Sequence, residues 1–264
     1  MAFLDDIIQY KKESLEALFS ADGFSESYDE LKNRAKALGG IRDFTAALTH
    51  DGINIIAEVK KASPSKGIIR EEFDPVEIAS IYDRAGACAV SVLTEDKYFL
   101  GSLDYVTAVK EAISLPVLRK DFIIDPYQVY ESRAIGSDAL LLIVACLTPE
   151  TLSELLALTE SLGMAALVEV HSKEELGIAL DAGSKIVGVN NRNLRTFSTD
   201  TRVTKELSEL VPDDIIMVAE SGINTREDIL ELKGYGADAF LIGEALTREA
   251  DIELKLRTLL TEAV

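Results

Sequence analysis

The chain has 264 residues, 47% of them hydrophobic, so it is long enough for one large domain or two small ones with a sizeable core, which excludes a disordered chain. Its formal net charge of -19 excludes the broad basic face of a nucleic-acid partner, though not a small anionic ligand held by locally concentrated lysine and arginine. The longest apolar stretch, Ala139 to Leu147, is about half of what a membrane helix needs, so no membrane partner is expected.

The N-terminus turns polar at Asp5 and Asp6, which predicts no signal peptide and a cytoplasmic location. Residues 1–50 carry two helical patterns, over 3–19 and 25–38, and no strand-like run. They are expected to form an N-terminal helical extension packed on the remainder of the chain, with Ile7, Ile8, Tyr10, Leu15, Leu18 and Phe19 as its apolar face and Gly39-Gly40 closing it.

From residue 51 to 264 the chain alternates apolar, β-branched runs with helical patterns. Strands are predicted at 53–59, 88–93, 116–120, 139–144, 166–170, 186–189, 215–219 and 238–242. Between them Asp74-Pro75, Asp125-Pro126 and Thr148-Pro149 place a capping side chain before a proline at the first helical position. Ser172-Lys-Glu-Glu175 reads as a capping box, and a further helix start falls near Thr225. A weak repeat recurs about every fifty residues: Gly86, Gly136, Gly183 and Gly236 each end a helix and lead into the next strand. Eight strand-helix units predict an α/β fold, a closed (β/α)8 TIM barrel with the helical extension. An open doubly wound sheet is the alternative, but no G-x-G-x-x-G follows the first strand.

The first strand carries two charges, Glu58 and Lys60, on one face. Ionised groups held in a buried strand need partners or a task, and a barrel of this kind places its chemistry at the C-terminal strand ends. The other ends are charged as well: Arg119-Lys120-Asp121-Phe122, Val168-Glu169-Val170, Asn190-Asn191-Arg192 and Glu220-Ser221-Gly222. Two lysines and three carboxylates on one rim supply acids, bases and a counter-charge for an anionic substrate. After the first strand, Ser63, Pro64, Ser65, Lys66 and Gly67 form a loop suited to holding an anion. Gly222 and Gly243, at the turns after the last two strands, mark the usual phosphate position of such barrels. Cys88 and Cys146 lie in apolar segments and are read as buried free thiols. His50 and His171 show no sequence neighbours for a metal site or a Ser-His-Asp triad, and both chemistries are set aside.

The segment Glu58-Val-Lys60-Lys-Ala-Ser63-Pro64-Ser65 resembles the signature of the indole-3-glycerol phosphate synthase family. Thr94-Glu-Asp-Lys-Tyr-Phe99-Leu-Gly-Ser102, Leu118-Arg-Lys120-Asp-Phe122, Gly188-Val-Asn190-Asn-Arg192 and Ala219-Glu-Ser221-Gly222 resemble its other blocks in order and spacing. The resemblance covers nearly the whole chain. It implies ring closure, with decarboxylation and dehydration, of 1-(2-carboxyphenylamino)-1-deoxyribulose 5-phosphate to indole-3-glycerol phosphate in tryptophan biosynthesis, without metal or organic cofactor. Lys120 is implied as the acid that protonates the carbonyl, Glu169 and Lys60 as the later acid-base pair, Glu58 as a further catalytic carboxylate, and Asn190 as a hydrogen-bonding group on the reacting atoms. Arg192 is implied to fix the polar network, Phe99 and Phe122 to contact the anthranilate ring, and Ser63, Ser221, Gly222 and Gly243 to bind phosphate. Other tryptophan-pathway enzymes are implied as partners. Glu244 departs from relatives that carry serine there. Sequence chemistry also permits a different phosphosugar barrel, such as a phosphoribosyl isomerase or an aldolase with a Schiff-base lysine, and a ligand-binding barrel without catalysis.

Overall fold

The computed structural model describes residues 3–193 and 198–261. Eight parallel strands close a barrel in chain order: β1 (Asn54–Val59), β2 (Ala89–Leu93), β3 (Val117–Lys120), β4 (Ala139–Ile143), β5 (Ala165–Val170), β6 (Ile186–Asn190), β7 (Ile216–Glu220) and β8 (Ala239–Ile242). Asn54 pairs with Ala239 to shut the ring, and each strand agrees with the sequence expectation to within a residue at either end. The fold is therefore the closed barrel and not the open sheet.

Three helices precede the barrel, α1 (Phe3–Phe19), α2 (Phe24–Ala37) and α3 (Phe44–Ala47). Within and after it come α4 (Pro75–Ala85), α5 (Leu103–Ala112), α6 (Pro126–Ala134), α7 (Pro149–Ser161), α8 (Lys173–Asp181), α9 (Arg202–Ser208), α10 (Arg226–Gly234), α11 (Glu244–Thr247) and α12 (Ile252–Leu260). The expected caps operate: Asp74 accepts from the Val76 and Glu77 N–H, Asp125 from Tyr127 and Thr148 from Thr151. Thr225 forms a full capping box with Asp228. The box expected at Ser172 is only half present. Ser172 Oγ accepts from the Glu175 N–H at 3.2 Å, but the Glu175 carboxylate accepts from the His171 N–H at 2.7 Å instead of returning to Ser172. The His171 ring draws it there, with Nδ1 3.1 Å from the same oxygen. The four repeat glycines all hold φ between 88° and 103°, the left-handed turn that releases each helix into the next strand.

Alternation along the strands splits the apolar residues into two cores. Ile55, Ala57, Leu140, Leu142, Val187 and Phe240 face the surrounding helices. Ile56, Leu118, Leu141, Leu167, Val218 and Leu241 fill the barrel interior together with Leu4, Ile7, Phe44 and Leu48 from the leading helices. Alternation then assigns the interior to Glu58, Lys60, Lys120, Glu169, Asn190 and Glu220, each an even number of residues beyond an interior apolar residue of its own strand.

The face of α1 differs from the expected one. Leu4, Ile7 and Lys11 are buried, Ile8, Tyr10 and Leu15 are half-buried, and Leu18 and Phe19 are exposed. A lysine occupies the apolar stripe because its Nζ lies 2.8 Å from Asp121 Oδ1, so its charge is buried as a pair. Phe19 instead packs by its ring edge on Tyr127 and beside Phe24, where α2 lies along α6. No described helix is long and apolar enough to cross a membrane.

Candidate active site

All twelve residues singled out from the sequence line one cleft of about 290 Å³ at the C-terminal mouth of the barrel. At its centre the Lys120 ammonium lies 3.2 Å from Glu169 Oε2 and 3.1 Å from Glu220 Oε2. The lysine is mostly shielded and both carboxylates are buried, so these charges are held in place by one another. Burial alone would strip the proton from Lys120, but Glu220, Glu169 and Glu58 outweigh it and raise its proton affinity. Burial pushes the Glu169 carboxyl up, yet Lys120 and His171 pull it well below the usual carboxylate range. Glu220 goes the other way. Burial and the neighbouring Glu169 outweigh Lys120 and lift it to about 7.

Two glycines make room for these charges. A side chain at Gly188, on β6, would collide with the Glu220 carboxylate, and one at Gly243 would collide with the Glu58 carboxylate and come within 2.9 Å of Lys60 Nζ. Gly243 thus admits the Glu58-Lys60 pair, whose oxygen and nitrogen are 2.5 Å apart, as well as any ligand at the turn. Asn190 donates to Glu169 Oε1 at 3.1 Å and accepts from the Arg192 N–H at 3.0 Å, which fixes the amide between the carboxylate and the next loop.

The aromatic side of the cleft is built by two buried carboxylates. Glu95, fully buried after β2, accepts the N–H groups of Lys97, Tyr98 and Phe99, and so folds the loop that presents Phe99. Asp121 accepts from the Phe122 N–H and from Thr94, Arg119 and Lys11. Burial opposes its charge, but Arg119 and Lys11 hold its carboxyl at about 2. Phe99 and Phe122 face each other with ring centroids 6.2 Å apart. Arg119, one of the polar residues at the end of β3, does not join the rim: alternation turns it outward, where Gln128, Ser132 and Glu131 enclose it.

At the opposite side lie Ser63, Ser221, Gly222 and Arg192. Ser63, in a short hairpin of Ala62–Ser63 with Gly67–Ile68, is buried, and its hydroxyl has no partner among the described residues. Ser221 and Gly222 both adopt positive φ, 64° and 78°, and the Ser221 carbonyl accepts from Asn191. Arg192 reaches Ser65 Oγ at 3.3 Å and Glu244 Oε2 at 3.2 Å, while Lys66 stands 3.9 Å from the other Glu244 oxygen. The Glu244 side chain thus engages two cations from separate loops.

The family model for indole-3-glycerol phosphate synthase matches residues 4–259. A protein of that name from Dehalococcoides mccartyi strain CBDB1 is 58% identical over 221 residues, covering 83% of this chain and 85% of its own. Another from Chloroherpeton thalassium is 50% identical over 250 residues, with 93% and 95% covered. The chain belongs to the indole-3-glycerol phosphate synthase family. Solved structures outside the family share the barrel alone; an N-acetylmannosamine-6-phosphate 2-epimerase from Clostridium perfringens superposes with a TM-score of 0.63 at 16% identity, covering 80% of this chain and 94% of that one.

Two groups in this family member escaped the sequence reading of the site. Glu220 was visible as a strand-end charge but not as a partner of Lys120; the signal was Gly188, a glycine in an apolar strand that leaves space for a neighbour. His171, set aside as solitary, sits between two carboxylates, Glu169 at 3.3 Å and Glu175 at 3.1 Å. The cysteines are free but only partly buried, and burial raises both thiols, Cys88 to about 12.

Proposed function

We propose that Lys120 is the general acid with which this member of the family converts 1-(2-carboxyphenylamino)-1-deoxyribulose 5-phosphate into indole-3-glycerol phosphate in tryptophan biosynthesis. The observation that carries this is the ammonium held between Glu169 and Glu220, 3.2 and 3.1 Å away. As the aryl carbon attacks the substrate carbonyl, the oxygen gains negative charge and takes a proton from Lys120. Carbon dioxide then leaves and the ring regains aromaticity. Glu220, whose carboxyl is lifted to about 7, adjoins Nζ and in its ionised form keeps the ammonium charged for the next proton transfer.

Loss of the hydroxyl as water needs a second acid and a base. Lys60 and Glu169 take these roles, with Glu58 fixing Lys60 and Asn190 aligning Glu169 and the leaving oxygen. Lys60 also meets the anthranilate carboxylate, and Phe99 and Phe122 flank the anthranilate ring. Ser63, Ser221, Gly222 and Gly243 receive the phosphate with Arg192 at its edge, a placement supported by the unpartnered Ser63 hydroxyl. We place the enzyme in the cytoplasm beside the other enzymes of the tryptophan pathway.

A Schiff-base aldolase would need a neutral lysine as nucleophile, whereas both carboxylates keep Lys120 charged. The test is an indole-fluorescence assay with the synthetic aminodeoxyribulose phosphate, run beside borohydride trapping with a keto-phosphate. Indole formation without a covalent adduct is expected. An adduct on Lys120 or Lys60 would overturn the acid-base reading.

A further inference from the structure

One half-buried titratable side chain beside the reacting carboxylates has no task in the reaction as assigned. His171 follows Glu169 by two positions, one residue past the end of β5, and its ring lies beside the Glu169 carboxylate. Its Nδ1 lies 3.1 Å from Glu175 Oε2 at the start of α8, and its Nε2 lies 3.3 Å from Glu169 Oε1. The second contact is off-line for a hydrogen bond and acts charge on charge. A neutral imidazole carries one N–H and would turn a lone pair toward one of the two oxygens; only the imidazolium presents hydrogen to both.

The excess of carboxylates at the rim agrees. Glu58, Glu169 and Glu220 face Lys60 and Lys120, and Glu175 adds a fourth carboxylate, so an imidazolium at 171 offsets part of an excess of negative charge. Glu175 lies in the first turn of α8, where the helix favours an anion, and it also accepts the His171 backbone N–H. Burial lowers the proton affinity of His171, but Glu169 and Glu175 outweigh it and raise the ring to about 10.

We propose that His171 is a positioning residue for this reaction: braced by Glu175, its imidazolium keeps the Glu169 carboxylate ionised and aimed at Lys120. This rests on Glu169 being a reacting carboxylate. The groups around the pair are few. Glu169 meets Lys120 from β3 and Asn190 from β6, while Glu220 from β7 and Glu58 from β1 act on the same lysine. His171 meets Glu169 and Glu175, and Cys146, in the turn after β4, feels both carboxylates and stays a neutral thiol.

The chain has two histidines, so ¹⁵N NMR of the imidazoles resolves His171 once His50→Gln identifies the other signal. His171 should read as imidazolium from pH 6 to 9; an ordinary titration around pH 6.5 overturns the proposal. In His171→Gln the loss of positive charge raises the proton affinity of the carboxylates. The acid limb of kcat/KM should therefore move up by about half a pH unit or more, with kcat lowered about tenfold. A purely structural role would reduce stability and leave the limb in place, and an unmoved limb overturns the proposal. Glu169→Gln separates the two ideas. If that variant turns over within a few-fold of the parent, the role of Glu169 falls and this proposal with it; if it is inactive while the His171→Gln limb is unmoved, only the proposal about His171 falls.

Discussion

The two sides of the cleft are built on different terms. Around Lys120 the partners come from strands, Glu169 from β5 and Glu220 from β7, and both carboxylates are only 2% exposed. Around Arg192 they are Ser65 from a loop and Glu244 from the start of the short α11, which Lys66 from the same loop as Ser65 also approaches, and the Arg192 and Glu244 side chains are each 25% exposed. Strand residues cannot move without disturbing the barrel, so the charges at Lys120 are preorganised and their solvent reorganisation is avoided at the moment of reaction. Loop residues in partial contact with water can exchange one partner for another at little cost. The first side is suited to rate and the second to capture.

That division can be broken by substitution. Lys120→Ala should lower kcat by roughly 10²- to 10⁴-fold with the circular dichroism spectrum intact, the usual scale for a general acid. Turnover within a few-fold of the parent would remove Lys120 from the acid role. Glu220→Gln should cost about 10- to 100-fold in kcat/KM and abolish an acid limb at about pH 7. The sign follows from the raised carboxyl: above about 7 Glu220 is charged and supports Lys120, and as pH falls through that value it is protonated and one counter-charge is lost. Persistence of the limb in the variant would assign it to another group.

Gly188→Ala should destabilise the fold by about 1–3 kcal/mol through overpacking against Glu220, read as a lower midpoint of denaturant unfolding. The smallest effect is expected at the loop side, where Arg192→Ala should raise KM about tenfold, the scale of one charge-assisted hydrogen bond, with kcat within a few-fold. A kcat loss as large as that of Lys120→Ala would erase the distinction between the two sides.

The barrel was legible because continuous apolar strands, proline-preceding caps and helix-ending glycines each recur, and each signal is local. The rim was legible because alternation along a strand places Glu58 with Lys60, and Lys120 with Phe122, without knowledge of the neighbours. What joins one strand to another was not. The contact of Lys120 with Glu220 spans 100 residues, and nothing near either residue announces it. Lys11 shows the same limit in a helix: a charge in the apolar stripe of α1 reads as a break in the pattern until Asp121 is seen waiting for it. His171 gives no sequence signal of a metal site or a triad because its partners are two ordinary carboxylates, one of them from the first turn of α8.

Gly188 carries a consequence for redesign. The space it leaves is filled by a side chain of the adjacent strand, so the two positions form one unit of inheritance although 32 residues of chain separate Gly188 from Glu220. A designer who removes the carboxylate gains a small hollow in the barrel wall that a larger residue at 188 can refill, and one who starts at 188 finds the way barred. New chemistry at this mouth is reached by one order of changes and closed to the other.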